Sequence, residues 1–172
     1  MKKITLVLAF IGMITLQSCT VNDNESDGID NDTISEVFEY NSNVNFTPSN
    51  GYSVFLTFPH SIFNSDMVLV YRLSDITNQG DDVWKPLPET YYFSDGTLDF
   101  RYDFNFTQFD AEVYMDGFDL AGLSSNVRLN QVFRVVVIPA YFGNKTAEVN
   151  LKDYKAVIKA FNIDESKIIK VK

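Results

Sequence analysis

Acidic side chains are the most plentiful candidates for chemistry in this chain. Asp99, Arg101 and Asp103 alternate, and Asp110, Glu112, Asp116 and Asp119 follow closely. Two carboxylates flanking a glycosidic bond can act as acid and base or as acid and nucleophile, so the enzymatic reading of these residues is an envelope glycoside hydrolase. The alternation has a simpler consequence. Residues two apart on a strand share a face, so Asp99 and Asp103 bracket Arg101 on one wet, charge-balanced surface. His60 is the single histidine, so a zinc site would lean on carboxylates and a Ser-His-Asp set would have to use this residue. It follows Phe58-Pro59 in a loop-like stretch, where a hydrogen-bonded structural histidine is expected. No Gly-x-Ser-x-Gly elbow, Walker loop or dinucleotide fingerprint is present. We therefore expect no catalytic residue, no metal and no cofactor.

Two further clusters invite a binding role. Asp23, Glu25, Asp27, Gly28 and Asp30 imitate the first half of a calcium loop, but Ile34 stands where the closing bidentate carboxylate belongs, so a solvated acidic linker is expected. Trp84, Tyr91 and Tyr92 lie close together beside Pro86 and Pro88. Exposed aromatics on a β-sandwich can stack on sugar rings, which makes these three candidate glycan contacts; the competing expectation is that they pack a hairpin.

The elements that must position these residues are strands. From Ile34 onward short apolar runs of period two are broken by Asn, Gly, Pro, Asp and Ser, which predicts strands near 34–40, 52–58, 67–73, 83–85, 90–93, 98–106, 110–116 and 132–138. In 98–106, Leu98, Phe100, Tyr102, Phe104 and Phe106 point one way and charged or polar residues the other. Asp95-Gly96 predicts a hairpin between 90–93 and 98–106. The run from Val132 to Ile138 is apolar on both faces apart from Arg134, so it should lie centrally, and Pro139 should stop it. Leu151, Tyr154, Val157, Ile158 and Phe161 recur at helical spacing and predict a helix over 152–161, with an extended piece from Lys167 to Val171 after it. The expected fold is mainly β: an antiparallel β-sandwich, immunoglobulin-like or jelly-roll-like, with a small C-terminal helix on an edge or end. An outer-membrane barrel fits less well, because the wet faces carry many charges and the chain ends on Lys172.

Residues 1–18 stand apart. Lys2 and Lys3 precede an apolar run from Ile4 to Leu16, which is of signal-peptide length and too short to span a bilayer. Leu16, Gln17, Ser18 and Cys19 resemble a bacterial lipobox, in the form frequent in the Bacteroidetes. That resemblance implies cleavage after Ser18 and lipid on Cys19, the only cysteine. It also implies lipid anchorage in the cell envelope, at the outer membrane, with surface exposure as one outcome. Without residues 1–18 the formal charge moves from −9 to −11, with 12 basic against 23 acidic side chains. Such a chain is repelled by phosphate, so no nucleic-acid partner is expected. With Cys19 lipidated no disulfide can form, and stability must come from burial. The 15 Phe and 9 Tyr are ample for that.

The organisation expected is therefore a signal peptide over 1–18, an acidic tether over 19–33 too poor in apolar residues to fold, and one sandwich domain over 34–172. The acidic residues behind Cys19 resemble surface-export signals of Bacteroidetes lipoproteins, and Asp32-Thr33-Ile34 resembles their O-glycosylation motif, with Thr33 as acceptor. Val68-Leu69-Val70-Tyr71-Arg72-Leu73, Asp82-Val83-Trp84-Lys85-Pro86-Leu87-Pro88, Thr90-Tyr91-Tyr92-Phe93, Asp103-Phe104-Asn105-Phe106-Thr107 and Asn130-Gln131-Val132-Phe133-Arg134-Val135-Val136 resemble an uncharacterised family of small Bacteroidetes lipoproteins. The resemblance covers about half of the mature chain and implies a shared fold and location, with no catalytic residues to carry over. A non-catalytic lipoprotein that binds protein or glycan is the leading expectation. A structural envelope component is the remaining class.

Overall fold

Alternating apolar residues build strands wherever one face can be buried, and the computed structural model places its strands along the expected runs. It describes residues 34–143 and 148–172. The lipobox residues Leu16, Gln17, Ser18 and Cys19, the calcium-like run over 23–30 and Thr33 lie outside the described residues. The strands are β1 (Glu36–Val44), β2 (Ser53–Thr57), β3 (Met67–Ile76), β4 (Asp82–Pro86), β5 (Glu89–Tyr92), β6 (Leu98–Phe106), β7 (Asp110–Gly117), β8 (Gln131–Ile138) and β9 (Ile169–Val171). A short helix, Ser125–Arg128, precedes β8, and a second, Tyr154–Ala160, precedes β9.

The strands form two sheets, a five-stranded one in the order β4-β3-β8-β1-β9 and a four-stranded one in the order β2-β7-β6-β5. Phe38, Phe133 and Val135 of the first meet Phe100, Tyr102 and Val113 of the second in one buried cluster. The fold is thus a β-sandwich. Each such side chain, fully buried, stabilises it by about 1.5–3 kcal/mol. The β5–β6 hairpin turns where expected: Gly96 sits at φ 85, and the Asp95 carboxylate accepts hydrogen bonds from the Thr97 amide and hydroxyl.

β8 is the middle strand of its sheet and ends at Ile138, before Pro139. Its second apolar face explains the C-terminal helix. Val37, Tyr71, Val136 and Ile138 point away from the sandwich interior and are buried instead against Tyr154, Val157 and Phe161. The helix therefore lies on the outer face of the five-stranded sheet, not on an edge or end, because that face is apolar and needs a cover. Asp153 caps it by accepting from the Ala156 amide. After it the chain re-enters the sheet as β9, which runs parallel to β1 with Phe38 opposite Ile169. This is one departure from an all-antiparallel arrangement.

β6 shows a second difference. Phe100 and Tyr102 are buried, Phe104 is only partly so, and Leu98 and Phe106 remain 37% and 45% exposed. Phe100, Tyr102 and Phe104 face inward as the alternation requires, but a bulge in the pairing with β5 sets Leu98 opposite the outward-facing Tyr92, and Phe106 lies past the covered part of the strand.

Candidate binding site

The carboxylates on β6 and β7 occupy the outer face of the four-stranded sheet. Strand register sets Arg101 opposite Asp116, where Nη2 lies 3.2 Å from the carboxylate, and Asp103 is 3.9 Å from Nη1. Glu112 accepts from Ser53 Oγ at 2.6 Å and from Asn105 at 3.1 Å. Those hydrogen bonds hold its pKa below the ordinary carboxylate range. A general acid needs the opposite shift. Asp110 accepts from the Thr107 hydroxyl, and Asp119 from the Gly122 amide. Each of these groups is engaged by a neighbour on an open sheet surface.

The three aromatic candidates are not brought together. Tyr91 packs inside the sandwich, stacked on Phe100 at 4.5 Å between ring centroids, with its hydroxyl hydrogen-bonded to Glu89 and Arg72. Tyr92, one residue on, points outward and is 64% exposed. Trp84 is on β4, in the other sheet. Alternation sends adjacent Tyr91 and Tyr92 to opposite faces, and the chain changes sheets between β4 and β5, so nearness in sequence does not become a shared surface.

Trp84 is the one of the three that lines a concavity. Its ring lies 5.7 Å from that of Tyr154, and the Arg134 guanidinium sits 4.2 Å from the Trp84 centroid. Arg134 is fixed on every side. It bonds Glu39 at 2.9 Å, the Tyr154 hydroxyl at 2.8 Å and Glu165 at 3.1 Å. Two adjoining depressions of about 360 and 190 Å³ share Asp81, Asp82, Trp84, Tyr154 and Lys155. They form one groove along β4, a terminal strand whose outer edge is unpaired in the sheet. The partly exposed Trp84 ring, backed by the buried Tyr154 ring and flanked by carboxylates and ammonium groups, offers a stacking surface with both acceptors and donors beside it.

Sequence reasoning found Trp84 but missed Arg134, Tyr154, Asp81, Asp82 and Lys155. A signal for Arg134 was present, since it is the only charge in an otherwise apolar run. The helix residues Tyr154 and Lys155 lie about 70 residues further along the chain than Trp84, beyond any local pattern.

His60 has the structural surroundings expected of it. Nε2 lies 3.0 Å from Glu36, Nδ1 lies 3.2 Å from the Ser61 carbonyl, and the ring stands edge-on to Phe38. It lines a depression of about 270 Å³ together with Glu36, Asp66, Ile34 and Phe63. Asp66 Oδ2 accepts from the Phe63 amide at 3.0 Å, while the buried Oδ1 has no hydrogen-bond partner. Among the described residues no group of three or more His, Cys, Asp or Glu side chains could hold a metal ion. Nor is any described helix long and apolar enough to cross a membrane. No family model, curated protein or solved structure matches this chain.

Proposed function

We propose that the chain is a lipid-anchored envelope protein, held through Cys19 at the outer membrane, whose sandwich binds carbohydrate without cleaving it at the Trp84 groove. The carrying observation is the partly exposed Trp84 ring in the groove, held by Arg134 over one face and by the buried Tyr154 ring beside it, and flanked by Asp81, Asp82 and Lys155. A sugar ring presents an apolar face of C–H groups and a rim of hydroxyls, and this groove matches both. Catalysis has less support: the candidate carboxylates are engaged by neighbours, Asp103 and Asp116 by Arg101, Glu112 by Ser53 and Asn105, Asp110 by Thr107 and Asp119 by the Gly122 amide. The lipobox resemblance supports the anchor, and the acidic charge supports a partner other than nucleic acid.

Trp84 is the only tryptophan, so its emission reports on the groove alone. Titration of the detergent-solubilised protein with hexaoses of β-linked glucose, α-linked glucose and N-acetylglucosamine should give a saturable change with one of them, the sugar being recovered intact. Flat emission with all of them would count against a carbohydrate ligand. Recovery of shortened products would favour the glycosidase instead. Radiolabelled palmitate incorporation that is lost in Cys19→Ala tests the anchor separately.

A further inference from the structure

Among the described residues the two sheets end on β4, β9, β2 and β5, and each of these strands pairs on one side alone. A free edge is a template for another strand unless charge, proline, a bulge or brevity blunts it. Three of the edges are blunted. β4 carries Asp82, Lys85 and Pro86; β9 is three residues long around Lys170; and β5 follows Pro88, begins at Glu89 and has its pairing with β6 broken by a bulge after Tyr91. β2, Ser53-Val54-Phe55-Leu56-Thr57, has no charge, no proline and an unbroken register with β7.

The pairing with β7 fixes which groups of β2 are free. Met115 N donates to Tyr52 O and Phe58 N to Phe109 O, and the register between these bonds turns the backbone groups of Val54 and Leu56 toward β7. Ser53, Phe55 and Thr57 therefore present their amides and carbonyls outward. The Thr57 carbonyl accepts from the Tyr40 hydroxyl at 2.8 Å and keeps a second lone pair. The Phe55 ring is 62% exposed. A depression of about 320 Å³ runs beside the strand, between it and Tyr40, Val44 and Val171 of the other sheet, so an incoming strand has access.

We infer that this edge pairs with a second copy of the chain, the two β2 strands meeting antiparallel about a two-fold axis at Phe55. In that register the strand is complementary to itself. Phe55 faces Phe55 of the other copy, Ser53 faces Thr57, and Val54 faces Leu56, so ring meets ring, hydroxyl meets hydroxyl and aliphatic meets aliphatic. The outward residues of the two copies lie opposite one another and can exchange up to about six hydrogen bonds. Charge does not oppose the contact. Glu112 stands opposite Phe55 on β7, which sets the two copies of Glu112 three strand spacings apart, about 14 Å, beyond the screening length of about 8 Å.

The register sets the test. Across the axis the two Phe55 Cα atoms lie about 5.5 Å apart, within reach of a disulfide, whereas Ser53 and its own copy, or Thr57 and its own copy, lie about 14 Å apart. Full-length, detergent-solubilised protein bearing Phe55→Cys, Ser53→Cys or Thr57→Cys is exposed to a mild oxidant. Wild-type protein, whose one thiol is Cys19, gives the background, and Trp84 emission checks folding. Phe55→Cys should link into a dimer several-fold faster than Ser53→Cys or Thr57→Cys alone, and a mixture of the last two should link nearly as fast as Phe55→Cys. Equal rates throughout would mean chance collision and overturn the pairing. Linkage of Phe55→Cys in native membranes to a different protein would overturn it too, and would make the edge a seat for a foreign strand. Phe55→Lys sets like charges face to face on the axis and should bring the sedimenting mass of concentrated protein down to that of the monomer. A wild-type mass already monomeric, or a Phe55→Lys mass still dimeric, would overturn the inference.

Discussion

The Arg72 guanidinium and the Glu89 carboxylate meet inside the sandwich as a two-pronged pair, Nε 2.8 Å from Oε2 and Nη2 3.2 Å from Oε1. Arg72 belongs to β3 of one sheet and Glu89 to β5 of the other, so the pair ties the two sheets together. Its surroundings satisfy it. Gln131 accepts from Arg72 at 3.0 Å, Tyr91 bonds both partners, Lys85 lies 3.2 Å from Glu89, and the Tyr102 ring lies beneath the guanidinium. Burying two charges gains little net stability, but stranding one of them is costly.

Arg72→Met should therefore destabilise the protein by about 3–5 kcal/mol, because it leaves the buried Glu89 with only the half-exposed Lys85 beside it. Arg72→Met combined with Glu89→Leu should cost clearly less than the sum of the single changes. Urea melts of the four proteins in the cycle measure the difference, and additive effects would show that the pair is not coupled.

Acid should weaken this link. Burial alone would raise the Glu89 pKa, but hydrogen bonds from Arg72 and Tyr91 and the Arg72 charge outweigh it, so the folded carboxyl titrates below the ordinary range. A depressed folded pKa adds stability that is present above the unfolded value, about 4.3 for Glu, and is lost as pH falls through the folded one. Melting temperature should hold from neutral pH to near the unfolded value and then drop, with a shallower drop in Glu89→Gln. On the alkaline side burial and the Glu89 hydrogen bond push Tyr91 up from 10.0 to about 12. Its contribution is intact below the unfolded value and fades as pH rises towards the folded one, so Tyr91→Phe should flatten that limb.

Three neighbouring changes on β6 should separate by burial. Phe100→Ala removes a buried ring and should cost about 3–5 kcal/mol. Phe104→Ala should cost less, since its ring is only partly covered. Asp103→Ala should stay within about 0.5 kcal/mol, its contact with Arg101 being long, at 3.9 Å, and only partly covered. Urea midpoints should fall in that order, and an Asp103→Ala midpoint below that of Phe100→Ala would show the facing to be wrong.

Arg134→Lys should fail as a conservative change. One ammonium cannot reproduce the guanidinium's fork to Glu39, Tyr154 and Glu165 or its flat packing on Trp84. The expected result is a shift in Trp84 emission and weaker oligosaccharide binding, read by calorimetry. Unchanged emission and affinity would mean that Arg134 does not order the groove.

Removing the helix's cover tests the outer layer. Phe161, 2% exposed, closes the cluster over Val136 and Ile138. Phe161→Ala should cost about 3–5 kcal/mol and increase binding of a dye that detects apolar surface. A native-like melt with no added dye binding would argue against the helix as a necessary cover.

Much of the architecture was determined by local sequence. The period-two runs located β1 to β8, Asp95-Gly96 located the hairpin, the apolar run around Arg134 marked a central strand, and Leu151 to Phe161 marked the helix. These follow from which side chains share a face, a property that a strand or helix has before it packs against anything. Tertiary structure alone decided how far burial extends along β6, because a bulge in its pairing with β5 turns Leu98 to the side of Tyr92 and the end of the sandwich leaves Phe106 in water. It alone placed the helix on the outer sheet face, since Val37, Tyr71 and Val136 lie on three different strands and form one apolar surface only after pairing. It also separated Trp84 from Tyr91 and joined it to Arg134 and Tyr154. Such contacts are set by which strands become neighbours and where the chain changes sheets, and hydrophobic periodicity contains no information about either.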